Sequence, residues 1–102
     1  MKIDISVIIP VYNPPHDKFE RCIGSLVSQT RELSMEFIFV NDGSTDTWIA
    51  ERLERLEKND SRVVVITKEN EGVSVARNIG MERERGEYLA FCDADDIYEK
   101  DA

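Results

Sequence analysis

The sequence predicts an α/β fold with three layers (α/β/α) and a mostly parallel sheet, and three observations support this prediction. Four short apolar runs alternate with three helical patterns, in the order β-α-β-α-β-α-β. The first run is almost continuously apolar and the third is β-branched, as in strands that are covered on both faces. The intervals between the runs are short, which favours parallel strands joined by right-handed crossovers. The length of 102 residues suits one domain.

The first half of the chain contains two predicted strands and one predicted helix. The first strand covers residues 5–11, where Pro10 is tolerated because it lies near the strand end. Asp17 is a suitable N-cap for the first helix, whose apolar residues recur at helical spacing. The second strand covers residues 37–40, and a polar turn at residues 41–44 breaks it.

The second half continues the same alternation. The second helix is predicted to begin near Thr45 or Asp46, and it carries its apolar residues on one face. The third and fourth strands cover residues 63–66 and 88–92. The third helix covers residues 74–85, and Gly86 is expected to end it as a C-cap.

The composition excludes some classes of function. The net charge is −8 and Lys and Arg form no cluster, so nucleic acid and anionic lipid are poor candidate partners. The sequence has neither a secretory signal nor an apolar stretch that would span a bilayer, and we expect a cytoplasmic protein. Cys22 and Cys92 match no metal-binding or redox spacing, and we expect two buried thiols in a reducing compartment.

Polar and glycine residues follow each predicted strand at its carboxyl end. The segments are residues 10–13, 41–44, 69–72 and 93–96. In an open parallel sheet, ligands bind beyond the carboxyl ends of the strands. We therefore expect these segments to lie along one rim and to form the functional site.

The acidic segment Asp93, Ala94, Asp95 and Asp96 is the strongest single signal. Its three carboxylates repel one another unless a cation neutralises them, and oxygen ligands select Mg²⁺ or Mn²⁺. Such an ion would take up negative charge on a departing diphosphate. The alternative is a solvated acidic turn, because short acidic triplets are common.

Two further segments have both a functional and a structural interpretation. Asp42 and Gly43 form either an ordinary Asx turn or a binding site. In such a site the carboxylate accepts an N–H group from a base edge, and Gly43 lets the backbone come close to the ligand. Gly72 leads into the amino end of the third helix, and this helix end together with Arg77 would suit an anion. The structural alternative is that Gly72 is an ordinary loop glycine and Arg77 a surface charge. No binding role is expected for His16, Trp48 or Tyr98.

Taken together, the motifs resemble the amino-terminal part of family 2 glycosyltransferases. The segments in register are residues 6–13, 22–26 with 29–30, 40–46, 69–72 with 76–80, and 86–96. They cover nearly the whole chain in the family's order. The resemblance implies a GT-A fold over residues 1–102, whose Rossmann-like half binds a nucleoside diphosphate sugar, commonly a UDP-sugar.

The same resemblance implies a role for individual residues. Pro10, Tyr12 and Asp42 would frame the base, and Arg77 would line the nucleotide pocket. Asp93 would contact the ribose, and Asp95, with Asp93, would hold Mg²⁺ or Mn²⁺. The other residues expected around the nucleotide sugar are Asn13, Gly43, Asn70, Gly72 and Ala94.

The implied reaction is an inverting single displacement at the anomeric carbon. The acceptor would be a hydroxyl group of a glycan or lipid-linked molecule, in polysaccharide or cell-surface glycan synthesis. No residue up to Ala102 matches the family's catalytic base, so we expect the base to lie beyond this residue and the chain alone to be inactive. The intact enzyme would be cytoplasmic or peripheral at the inner face of the membrane.

This interpretation has one physical consequence, and two alternatives to it stay open. Apolar surface or a strand edge near residues 88–92 is expected to favour self-association of the chain. A receiver-like signalling module has a similar order of elements, but it needs a lysine at the end of a later strand. A binding domain that keeps the fold without chemistry is the remaining possibility.

Overall fold

The computed structural model describes residues 3–29 and 34–94. Within these residues, four strands alternate with three helices in the predicted order. The strands are β1 (Ile3–Val11), β2 (Met35–Asp42), β3 (Val63–Lys68) and β4 (Gly86–Phe91). The helices are α1 (His16–Val27), α2 (Thr47–Asn59) and α3 (Val73–Arg83). No helix in the described ranges is long and apolar enough to cross a bilayer.

Each pair of neighbouring strands in the described sheet is parallel, and the order across the sheet is β3-β2-β1-β4. β1 and β2 therefore lie inside the sheet, while β3 and β4 lie at its edges. Because the strands run in one direction, their carboxyl ends meet along one rim. The predicted α/β fold with a parallel sheet is confirmed.

Helices cover both faces of the sheet, as three layers require. On one face, α1 and α2 pack on the sheet through a large apolar cluster that includes Phe19, Phe39 and Leu53. On the other face, Ala76 of α3 belongs to a smaller cluster with Ile8 and residues of β2. The burial of apolar side chains on both faces explains why the strand sequences are almost continuously apolar.

Pro10 belongs to an inner strand, yet it lies close to the end of β1. Pairing between β1 and β4 ends at Ile8 and Phe91, whereas β1 and β2 stay paired as far as Val11 and Asn41. Pro10 therefore follows the last β1–β4 pair, where its missing N–H group interrupts no ladder to β4. The structure thus agrees with the prediction that Pro10 lies next to a strand end.

The helix starts confirm the predicted beginning of α2 and correct the predicted N-cap of α1. Asp46 is the N-cap of α2, and its Oδ1 accepts a hydrogen bond of 3.0 Å from the backbone N–H of Trp48. Asp17 does not cap α1, because Pro15 occupies the N-cap position and Asp17 lies in the first turn. Its negative charge is favourable there because it faces the positive end of the helix dipole.

Gly86 does not end α3, contrary to the prediction. The helix ends at Arg83, Glu84 takes the C-cap position, and Gly86 is the first residue of β4. The glycine is needed for close approach to β1, since a Cβ atom at this position would lie 2.6 Å from the backbone nitrogen of Ser6. A lone glycine between a helix and a strand can serve as a helix C-cap or allow two strands to approach closely, and the sequence does not distinguish these two roles.

A buried polar network lies at the opposite end of the sheet from the rim. Glu36 on β2 is 2% exposed, and its Oε2 accepts hydrogen bonds from Ser6 Oγ at 2.5 Å and from the backbone N–H of Arg85 at 2.6 Å. Ser6 Oγ also accepts the backbone N–H of Gly86 at 2.7 Å. Glu36 therefore links β1, β2 and the start of β4.

Replacing Glu36 with Ala should destabilise the fold, because the buried Ser6 hydroxyl would lose its acceptor and the N–H of Arg85 would keep only its longer bond to Ser6 Oγ. We expect the free energy of unfolding to fall by about 2–4 kcal/mol in urea denaturation. Glu54→Ala is the matched control, since this α2 carboxylate is 67% exposed and pairs with the exposed Lys58. It should change the same quantity by less than about 0.5 kcal/mol. Equal effects of the two substitutions on the free energy of unfolding would contradict the role of Glu36 as a buried acceptor.

The edge strand β4 exposes large apolar side chains. Tyr88 is 71% exposed, Leu89 40% and Phe91 45%. Within the described residues, β4 pairs only with β1, so no described strand covers its outer edge. Exposed apolar edges of this kind favour pairing between chains.

The chain should therefore self-associate through β4 as its concentration rises, and sedimentation velocity would measure this. Leu89→Lys should shift the distribution towards monomer, because a charged side chain opposes edge-to-edge pairing. Thr67→Lys places the same charge on the opposite edge strand and should leave the distribution unchanged. A monomer at every concentration would refute the prediction.

Candidate functional site

The rim formed by the carboxyl ends of the strands carries the predicted site residues that the structure describes. β1 leads into Tyr12 and β2 ends at Asp42, while β3 leads into Asn70 and β4 into Asp93. Asp42 and Asp93 therefore lie beyond the same ends of the sheet, with β1 between their strands. Two predicted residues of the acidic segment, Asp95 and Asp96, lie outside the described residues.

The carboxylate of Asp42 is the most highly coordinated group of the rim. Its Oδ1 accepts Lys68 Nζ at 2.8 Å and the backbone N–H of Glu71 at 2.9 Å. Its Oδ2 accepts the backbone N–H of Gly72 at 2.9 Å and Asn70 Nδ2 at 3.3 Å. With a side chain only 4% exposed, Asp42 is held almost entirely by these donors.

The same contacts set the ionisation of Asp42. Burial alone would raise the pKa of this carboxyl, but the hydrogen bonds from Lys68 and from the backbone of Glu71 and Gly72 lower it below its ordinary value. Asp42 is therefore ionised near neutral pH. Its negative charge is already compensated within the protein by the Lys68 ammonium.

Gly43 brings the loop after β2 against the loop after β3. Its φ is +71°, and a Cβ atom there would lie 2.5 Å from the backbone nitrogen of Asn70. The sequence suggested that this glycine allows the backbone to approach a ligand, whereas the close neighbour in the structure is the chain itself. The two loops are thus packed in direct contact at the rim.

Asn13 ties the loop after β1 to the loop after β2. It adopts a left-handed conformation with φ of 44°. Its backbone N–H donates to Ser44 Oγ, its Oδ1 accepts from the backbone of Asp46 and its Nδ2 donates to Thr45 Oγ1, each at 3.0 Å. The Asn13 side chain therefore holds the rim together in this structure.

His16 takes part in the same rim structure, which the sequence did not indicate. Its ring stacks on Trp48 with a centroid distance of 3.9 Å, and its Nε2 lies 2.5 Å from Asp46 Oδ2. This hydrogen bond is the main cause that lowers the pKa of Asp46 below its ordinary value. Sequence reasoning missed the contact because nothing local links residues 30 positions apart.

Arg77 and Asp93 form the other half of the rim. Arg77 Nη2 lies 3.3 Å from Asp93 Oδ1, and the guanidinium group lies over the ring of Phe91 at 5.7 Å. The two side chains are 40% and 54% exposed, so both are accessible to a ligand. A cation beside the amino end of α3 suits a phosphate group.

A divalent cation fits the chemistry of this part of the rim. Among residues 3–29 and 34–94, no cluster of three or more His, Cys, Asp or Glu side chains could hold a metal ion. Mg²⁺ needs only one or two protein carboxylates when water and substrate phosphate complete its shell. The exposed carboxylate of Asp93 is compatible with such a site.

The two cysteines are buried as predicted, and they are also adjacent. Cys22 Sγ on α1 and Cys92 Sγ after β4 lie 3.9 Å apart. Both sulfur atoms approach the carbonyl oxygen of Asp93, at 3.6 Å and 3.5 Å. The backbone at the start of the acidic segment therefore lies against α1.

Comparison with known proteins identifies the fold and the family. The family model described as "Glycosyl transferase family 2" matches residues 6–102. GlyA of Streptococcus pneumoniae, named a glycosyltransferase, is 40% identical over 97 residues, which are 95% of this chain and 14% of GlyA. TuaG of Bacillus subtilis, named for teichuronic acid biosynthesis, is 43% identical over 98 residues, which are 95% of this chain and 38% of TuaG. The chain thus spans less than two fifths of either relative.

A solved structure gives the same result for the fold. The mannosyltransferase PcManGT from Pyrobaculum calidifontis, in complex with GDP-Man and Mn²⁺, superposes with a TM-score of 0.81 at 22% identity. The match covers 96% of this chain and 29% of that one. The predicted GT-A fold is confirmed, and the receiver-like alternative is rejected.

Gly43→Ala should destabilise the protein, because the substitution places a Cβ atom in a left-handed residue and against Asn70. We expect a loss of about 1–3 kcal/mol in the free energy of unfolding, measured by urea denaturation. Gly24→Ala is the matched control. Gly24 lies within α1 with nothing within 4 Å of an added Cβ, so this change should stabilise by about 0.5–1 kcal/mol.

Proposed function

This chain belongs to glycosyl transferase family 2, and from that premise we propose that it forms the donor-binding part of a sugar transferase. The donor is a nucleoside diphosphate sugar, with UDP as the nucleotide, and Mg²⁺ or Mn²⁺ is the cofactor. One observation carries the proposal: Asp42 and the Arg77–Asp93 pair lie along the same rim of a parallel sheet. This is the edge at which open α/β sheets bind ligands.

The residues of the rim divide into a base end and a phosphate end. At the base end, Pro10, Tyr12 and Asp42 surround the nucleobase, and Tyr12, which is 53% exposed, is the aromatic residue proposed to stack on it. At the phosphate end, Arg77 pairs with the diphosphate. Asp93 contacts the ribose, since its carboxylate is exposed beyond β4.

The loops between these ends shape the pocket. Asn13, Gly43, Asn70 and Gly72 are proposed to line it, and their contacts within the chain keep the two loops packed together. Gly72 is the N-cap of α3, and the N–H groups of the first turn that follows it are proposed to face the same rim. Ala94, which is buried next to Asp93, is proposed to line the same pocket.

A divalent ion bound by Asp95 and Asp93 would take up the negative charge that develops on the leaving diphosphate. The reaction is an inverting displacement in which an acceptor hydroxyl attacks the anomeric carbon. The new bond joins that carbon to the acceptor oxygen, the bond to the diphosphate oxygen breaks, and a base removes the acceptor proton. We place this base outside residues 1–102, and the greater length of the relatives leaves room for such a segment.

Related proteins support this donor and acceptor class. PcManGT, which shares the fold, is described with GDP-Man and Mn²⁺, which are a nucleoside diphosphate sugar and a divalent ion. TuaG is named for the biosynthesis of teichuronic acid. A growing glycan or a lipid-linked glycan is accordingly the proposed acceptor.

Isothermal titration with UDP tests the proposal. The chain should bind UDP in the presence of Mn²⁺, and chelation of the metal by EDTA should weaken binding at least about tenfold, because the ion bridges carboxylate and diphosphate. Asp93→Asn should weaken metal-dependent binding by a similar factor. Asp17→Asn, which removes an exposed carboxylate from α1, is the control and should bind as the wild type does. Binding that EDTA leaves unchanged would refute the metal role.

A further inference from the structure

Lys68, the last residue of β3, is largely buried at the rim and has all its donors engaged. It lies opposite Asp42 in the register of β2 and β3, and its side chain is 10% exposed. Its Nζ lies 2.8 Å from Asp42 Oδ1 and 3.1 Å from Glu71 Oε1, and it also donates to the carbonyl oxygen of Glu69. An ammonium group has three N–H donors, and here each has an acceptor.

Asp42 is equally saturated, so an incoming nucleobase has to displace one of its donors. An ionised carboxylate offers about four acceptor positions, and Asp42 uses four. The contact with Asn70 Nδ2 is the longest of them at 3.3 Å, whereas that with Lys68 is 2.8 Å. Asn70 is therefore the partner that Asp42 releases most easily, and Lys68 is the partner that stays.

We propose that Lys68 is a positioning residue of the nucleotide site, which acts through Asp42 and the loop of residues 69–72 without touching the nucleotide. The proposal rests on the function proposed above. Lys68 holds Oδ1 of Asp42, so that Oδ2 keeps its direction towards the ligand. It also holds the loop that carries Asn70 and Gly72, because Glu69 and Glu71 are its other two acceptors.

The physical reason is the charge balance of a buried carboxylate. The charged side chains that meet at Asp42 are Lys68 from β3 and, through Lys68, Glu71 from the following loop. Without the ammonium group, Asp42 would keep its backbone donors but would be buried beside the Glu71 carboxylate with no cation. Removal of Lys68 should therefore raise the pKa of Asp42 and loosen the loop.

The sign of the pH dependence follows from the lowered pKa of Asp42. In the wild type, Asp42 stays ionised as the pH falls through the range where an ordinary aspartate takes up a proton. Binding that needs the ionised carboxylate is lost only as the pH falls through this lowered pKa. In Lys68→Met, the loss should begin at a higher pH than in the wild type.

The experiment compares the affinity for UDP with Mn²⁺ in three variants, between about pH 4.5 and pH 8. Lys68→Met should bind about tenfold more weakly near neutral pH, and its affinity should fall at higher pH than that of the wild type. Lys68→Arg keeps the charge and should keep the pH profile. Lys58→Met removes an exposed lysine of α2, 72% exposed and paired with Glu54, and should match the wild type throughout.

Chemical labelling of the wild type provides a second measurement that does not depend on a variant folding. Lys68 should react slowly with an acetylating reagent both with and without UDP, because its donors are engaged in either state. Reactivity that drops only when UDP binds would show direct contact and overturn the proposal. So would Lys68→Met with wild-type affinity and pH profile. A wild type that binds no UDP would instead defeat the proposed function itself.

Discussion

The buried carboxylate of Asp42 is the constraint on which the rim depends, since a buried charge has to be compensated where it lies. The compensation comes from the loop of residues 69–72, through the backbone N–H groups of Glu71 and Gly72, and from Lys68. Asp42 thus fixes where that loop passes and where α3 begins. Gly43 follows from the same constraint, because only a residue without Cβ fits once the loop is drawn against the end of β2.

β2 carries a second buried acid at its other end, and the two acids act in the same way. Glu36 accepts a backbone N–H from Arg85, just before β4, as Asp42 accepts backbone N–H groups just before α3. The apolar residues between them are buried in the sheet. One inner strand therefore anchors segments at both ends of the sheet, with its apolar middle in the core.

The order and type of the elements were predictable because apolar periodicity is a local signal. The gathering of polar residues along one rim was also predictable, because parallel strands end at the same edge of the sheet. The start of α2 near Asp46 was predictable, whereas Asp17 and Gly86 were misassigned because a single acid or glycine suits several local structures. The roles of Glu36 and His16 come from partners about 30 positions away, and sequence alone does not show such contacts. The adjacency of Cys22 and Cys92 escaped prediction for the same reason.

The position of β1 inside the sheet has a consequence for how the protein is made. A ribosome synthesises β1 first, but Ser6 meets its partner Gly86 only 80 positions later. Until β4 has left the exit tunnel, the nascent chain keeps one side of β1 without a neighbouring strand. Contacts this distant in sequence make folding slow. During this interval, the open side of β1 is the surface that a chaperone would need to shield.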